Sequence, residues 1–198
     1  DVDRLVFMDE QGVLFGEEYT LVACADYVLA HQKGTVVSNL SSSRALADLA
    51  HQYEVDYHAS AVGEVHVVEK MKSEKAVIGG EGNGGVILPS LHYGRDALVG
   101  IALFLSFLAK ENCTVSALKK RYSNYVMRKK KIQLSPDWDT DALLAAVAEA
   151  CKNERVTTID GVKIDFDDSW IHLRKSNTEP IIRPVSYTHL RAHETHND

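Results

Sequence analysis

The sequence predicts an α/β protein: a three-layer α/β domain with a mixed, largely parallel sheet, followed by a smaller α+β domain. Three observations carry that reading. From the start to about residue 110, short β-rich runs alternate with amphipathic helical runs, the pattern of βαβ units. At Asn112 to Thr114 a helix stop and a new cap coincide. Beyond them the order changes to helix, basic strand, helix and hairpin. The expected division is therefore 1–111, 112–184 and a tail, 185–198.

Taken in order, "LVFMDEQGVLF" reads as strand, turn at Gln11-Gly12, and strand. "EEYTLVACADYVLAHQKG" reads as a helix ending at Gly34, where glycine tolerates the terminal conformation. "TVVSN" is a strand, "SSSRALADLAHQY" a helix capped by serine, "VDYH" a strand, "VGEVHVVEKMKSE" a helix and "AVIGG" a strand. The apolar helix "RDALVGIALFLSFLAKE" packs as core. In the second domain, "VSALKKRY" is a helix, "VMRKKKIQL" a basic strand and "DTDALLAAVAEACKN" a helix with acids at its start. "VTTIDGVKIDF" is a hairpin turning at Asp160-Gly161, and "WIHLRKS" follows it. The last dozen residues, "SYTHLRAHETHND", have neither strand nor helix periodicity and resemble a non-native, disordered tail. The clustered His189, His193 and His196 have no second ligand group to make them a metal site.

Composition bounds the function. With 198 residues and 45% hydrophobic content the chain can bury real cores. A formal net charge of −6 argues against nucleic acid, which rewards a basic surface. No apolar run approaches the ~20 residues that span a bilayer, so no membrane partner is expected. The odd set Cys24, Cys113 and Cys151 suits reduced packing residues and a cytoplasmic setting.

Three stretches carry chemistry. In "RKSNTEPIIR", Ser176, Asn177 and Thr178 offer short donors and a helix-type cap between Arg174 and Arg183, an inventory that suits a phosphate. An ordinary cap with surface arginines fits the same spacing. In "GGEGNGG", five glycines let the backbone approach a ligand, while Glu81 and Asn83 suit vicinal hydroxyls of a sugar. At the start, Asp1 and Asp3 alternate, so in an extended chain both face one side, as hard-cation ligands do. The basic run Arg128 to Lys131 reads as a solvated face, and Ser41 to Ser43 as a helix cap.

Together, and in this order, these stretches resemble the α-D-phosphohexomutases, most closely the phosphoglucosamine mutase branch. "DVDR" is similar to the end of the metal loop D-x-D-x-D-R, which carries over Asp1, Asp3 and, in support, Arg4. Gly80 to Gly84 resemble the sugar loop G-E-x-S-G with asparagine for serine, assigning Glu81, Asn83 and Gly84 to the sugar. Arg174, Ser176, Asn177, Thr178 and Pro180 match the phosphate loop, with Arg183 beyond it. The resemblance implies Mg2+ as cofactor and glucosamine, glucose or mannose phosphate as substrate. It further implies the carboxyl-terminal half of a four-domain enzyme, lacking the phosphoserine and inactive alone. A phosphoryl group would move between the 6 and 1 positions through that serine and a bisphosphate. Many relatives carry histidine after the sugar-loop glycine; here it is Gly85, so that role does not transfer. A non-catalytic sugar-phosphate binding module is the alternative expectation.

Overall fold

A computed structural model of the chain describes residues 2–135, 138–175 and 181–189. Two compact units emerge, Asp1–Ser123 and Asn124–Asp198.

Unit 1 begins with an extended arm whose side chains alternate outward and inward from Val2 to Glu10. Two strands were expected here. Instead the arm folds back through the single bridge Met8↔Leu14, with Asp9 N donating to Val13 O at 2.8 Å and Asp9 Oδ1 holding the turn. Phe7, on the inward side, stacks on Phe104 at 3.7 Å. Next come α1 (Glu17–Leu29), β1 (Val36–Asn39), α2 (Ala45–Tyr53), β2 (Tyr57–Ser60), α3 (Glu64–Ser73), β3 (Ile78–Glu81), β4 (Gly85–Ile87), α4 (Ala97–Glu111) and α5 (Val115–Lys119). The sheet runs β2-β1-β3-β4, parallel except for the antiparallel β3/β4 pair. Adjacent strand residues face opposite layers: a methyl at Gly79 would meet Met71 of α3, and one at Gly80 would approach Leu21 of α1. The helices thus flank the sheet on both faces, giving three layers. Val67 and Met71 bury against Val37 and Ile87 on one side.

Helix α5 belongs to this unit, so the division falls about twelve residues beyond the expected one. Leu118 is fully buried, Tyr122 Oη donates to Asp26 Oδ2 at 2.9 Å, and Tyr19 Oη donates to the Ser123 carbonyl at 2.7 Å. These long-range anchors outweigh the stop signal at Asn112, which does end α4 in a left-handed conformation.

Unit 2 contains β5 (Tyr125–Lys129), β6 (Ile132–Gln133), α6 (Thr140–Ala150), β7 (Arg155–Thr157), β8 (Val162–Asp165), β9 (Ser169–Lys175) and β10 (Ile181–His189). The antiparallel sheet runs β5-β10-β9-β8-β7, with β6 also on β10. Asp139 caps α6 by accepting from the Asp141 and Ala142 amides at 3.0 Å. Leu144 of α6 packs with Leu134, Val162, Ile164 and Ile182. The basic strand is broken at Lys130-Lys131 into β5 and β6. Part of the expected tail is strand: residues 185–189 continue β10, with Val185↔Lys129 and Tyr187↔Met127 in register. Tyr187 is buried against Trp170 at 4.9 Å between centroids. Two flanking strands order a segment whose own periodicity gives no signal; residues 190–198 lie outside the described residues.

Candidate functional site

The glycine loop connects β3 to β4 and places Glu81 at the end of a fully buried strand. Glu81 is only 4% exposed, and both of its oxygens are engaged. Oε1 accepts from Asn39 Nδ2 at 2.9 Å; Oε2 accepts from Arg95 Nη1 at 2.8 Å and, at 3.4 Å, from Asn83 Nδ2. Ser42 donates to Asn39 Oδ1 at 3.1 Å and accepts from the Gly82 amide at 3.1 Å. Ser42 is therefore part of the loop's support rather than a helix cap, and α2 begins after Arg44 with no side-chain cap. Such a network fixes Glu81 because each buried polar atom left without its partner would be costly.

Arg95 is the hub. Besides Glu81, its Nη2 lies 2.6 Å from Asp3 Oδ2 and its Nε 3.2 Å from Glu64 Oε2, the latter an ion-pair contact without hydrogen-bond alignment. Its backbone N–H donates to Glu64 Oε1 at 3.0 Å. Three carboxylates thus meet one guanidinium, a formal excess of two negative charges. Gly85 is what admits the arginine: a Cβ there would stand 2.5 Å from Arg95 Cδ. Gly84, at φ 87°, turns the chain so that its carbonyl accepts from the Leu5 amide at 3.0 Å, tying the loop to the arm that carries Asp3. Val2, Asp3, Arg95, Asp96, Ala97 and Leu98 line a cleft of about 520 Å3. His92 pairs with Asp96 at 3.0 Å, and the Val99 and Leu98 amides together with His92 hold the Asp96 carboxyl below its usual range. Behind the loop, Glu18 accepts from the Ser43 amide at 2.9 Å. Nearby Lys119 is pulled down to about 7 by burial, with the Glu18 charge opposing.

In unit 2 the antiparallel register sets Arg183 directly opposite Arg174 on β10 and β9. Arg174 Nε stands 2.9 Å from Asp160 Oδ2, close but not aligned as a hydrogen bond. Asp160 comes from the β7–β8 turn, and its carbonyl also accepts from His172 Nε2 at 2.5 Å, which fixes the proton on that nitrogen. His172 is fully buried, and loss of solvation lowers its pKa. On the far side of β10, Lys129, Lys130, Lys131, Arg183, Pro184 and Val185 line a cleft of about 310 Å3.

Two family matches cover nearly the whole chain. Residues 8–125 match the phosphoglucomutase/phosphomannomutase alpha/beta/alpha domain III, and residues 125–185 match the C-terminal domain of the same proteins. The chain belongs to the phosphoglucomutase/phosphomannomutase family. A phosphoglucomutase/phosphomannomutase of Thermococcus kodakarensis is 36% identical over 94% of this chain and 41% of its own length. A phosphoglucosamine/phosphogalactosamine mutase of Sulfurisphaera tokodaii is 34% identical over 92% of this chain and 41% of its own. The chain thus spans about two fifths of the length of these relatives. Among solved structures, a family protein from Burkholderia thailandensis superposes with a TM-score of 0.78 at 23% identity, over 97% of this chain and 42% of that one, and shows the same fold.

Of the residues singled out in the sequence, Asp3, Glu81, Asn83 and Gly84 come together in unit 1, and Arg174 and Arg183 in unit 2. Arg4 is exposed on the arm. Asp1, Ser176, Asn177 and Thr178 lie outside the described residues. Arg95, Asn39, Ser42 and Glu64 were missed; the one hint was the missing side chain at Gly85, which left room for another group. Phosphohexomutases are in general magnesium-dependent. Among the described residues no group of three His, Cys, Asp or Glu side chains could hold a metal ion, and Asp3 is committed to Arg95, so these residues do not by themselves fit a magnesium site. No helix among them is long and apolar enough to cross a membrane.

Proposed function

We propose that this chain carries the substrate-recognition half of a phosphohexomutase that moves a phosphoryl group between the 6 and 1 positions of a hexose phosphate. The observation that carries the reading is the Arg174–Arg183 pair. Like charges directly opposite on neighbouring strands cost stability, and a dianionic phosphate converts that cost into a paired set of directed donors. Ser176, Asn177 and Thr178, in the connection between those strands, are assigned to the same phosphate. Unit 1 supplies the sugar contacts: Glu81, Asn83 and the Gly84 backbone would bind ring hydroxyls from a loop whose shape is already fixed. An amino sugar is the favoured substrate, in keeping with the name of the Sulfurisphaera relative. Glucose and mannose phosphates are the alternatives.

Asp1 and Asp3 are the proposed contributors to magnesium binding, and Asp3 would have to exchange Arg95 for the cation. No residue here is assigned the phosphoserine role; the serine and the bisphosphate it would form belong to the proposed whole enzyme, acting in the cytoplasm. Titration of glucosamine 6-phosphate into the 198-residue chain, beside Arg174→Ala, tests the reading. Loss of a charge-assisted contact should weaken binding by about 10- to 100-fold. Equal affinity in the two proteins, or none in either, removes the phosphate assignment.

A further inference from the structure

The lysines of the β5–β6 junction look, in the sequence, like a solvated face. Their register gives them another position. Pairs Ile182↔Ile132 and Val185↔Lys129 share one offset, and Lys130 N donates to the Pro184 carbonyl at 3.0 Å between them. Carried across the break between β5 and β6, that offset sets Lys131 opposite Arg183. Since Arg183 also faces Arg174, three cationic residues stand in line across the β5–β6 junction, β10 and β9, one strand spacing (~4.8 Å) apart. Side chains paired across an antiparallel sheet point to the same face, so all three lie on one side.

The geometry points to Lys131 as a further phosphate-binding residue, the outermost of a cation row Lys131–Arg183–Arg174 that grips a dianionic phosphate monoester. The inference rests on the phosphate reading of Arg174 and Arg183 and extends it to a strand junction far from that loop in sequence. Two observations support it. Lys131 and Arg183 line the same cleft of about 310 Å3, which is large enough for a phosphate. None of the ion pairs among the described residues involves Lys129, Lys130 or Lys131, whereas the neighbouring Lys163 and Lys175 are each set against an aspartate. Alternation places Lys129 on the same face beside Val185, two residues further from the arginines, where it adds potential rather than a direct contact.

A cation kept for a ligand and a cation kept for the fold respond oppositely to removal. Both tryptophans, Trp138 and Trp170, lie in unit 2, so tryptophan fluorescence follows that unit. The test is inorganic phosphate titrated into the wild-type chain, Lys131→Ala, Lys131→Arg and Arg174→Ala at low ionic strength, together with melting of each protein without phosphate. Lys131→Ala should bind phosphate about tenfold more weakly, with Lys131→Arg close to wild type. Relieved of one like-charge neighbour, Lys131→Ala should melt roughly 1–4 °C higher without phosphate. Unchanged phosphate affinity in Lys131→Ala, a lower melting temperature without ligand, or no phosphate binding by the wild-type chain each overturns the inference. If Arg174→Ala loses phosphate while Lys131→Ala keeps it, the loop assignment stands and the lysine falls. If Lys131→Ala loses it while Arg174→Ala keeps it, the shared grip is wrong.

Discussion

In unit 1, Arg95 is met by Asp3, Glu64 and Glu81 at 2.6 to 3.2 Å, whereas in unit 2 Arg183 and Arg174 stand directly opposite one another on β10 and β9, and the proposed row adds Lys131 beside them. The first arrangement spends its charges on itself. Glu81 is buried, and its two oxygens are held by Asn39, Arg95 and Asn83, so the loop's shape is settled before any ligand arrives. The second aligns like charges on one sheet face, a geometry that an added anion improves. The difference suits the proposed division of labour: hydroxyls need a fixed carboxylate and amide, while a phosphate needs concentrated positive potential.

The largest effect should come from breaking the internal set. Glu81→Ala would leave Asn39 Nδ2 and one arm of Arg95 unpaired in a buried setting and should cost about 3 kcal/mol, read as a lower urea midpoint by circular dichroism. Glu81→Gln, which keeps the shape and one acceptor, should cost less. If Glu81→Ala matched wild type, the loop would not be internally fixed and the contrast between the units would fail.

A smaller effect separates the units by pH. Burial lowers the His172 pKa, so the imidazole is neutral in the fold while the unfolded chain takes up a proton below ~6.5. The unfolded state then binds more protons, and the stability of unit 2 is present above that value and declines as the pH falls through it. The urea midpoint followed by tryptophan fluorescence should drop between pH 7.5 and pH 5. His172→Gln, which retains an N–H for the Asp160 carbonyl, should flatten the dependence. A midpoint that rose on acidification would contradict the buried neutral assignment.

How much of this was legible in the sequence follows from how local each feature is. Alternating apolar runs marked nearly every element of unit 1, because period and glycine stops are encoded within a dozen residues. Glu81, Asn83, Arg174 and Arg183 were legible from residue type within two short loops. Arg95 was not: its partners lie 14, 31 and 92 positions away in sequence, and no spacing rule joins them. Ser42 was misread for the same reason, since its hydroxyl looks like a local cap until β1 and β3 bring Asn39 and Gly82 to it. Residues 185–189 carry no periodic signal, and β5 and β9 supply their order. The break at Lys130-Lys131 divides what reads as one strand, yet it leaves Lys131 beside Arg183.

The most direct test of the contrast is a titration of inorganic phosphate into the 15N-labelled chain, followed amide by amide. Shifts concentrated at Arg174, Arg183 and Lys130–Lys131, with Gly82, Gly84 and Gly85 unmoved, are the expected result. Shifts centred on the glycine loop, or none at the cation row, would contradict the account.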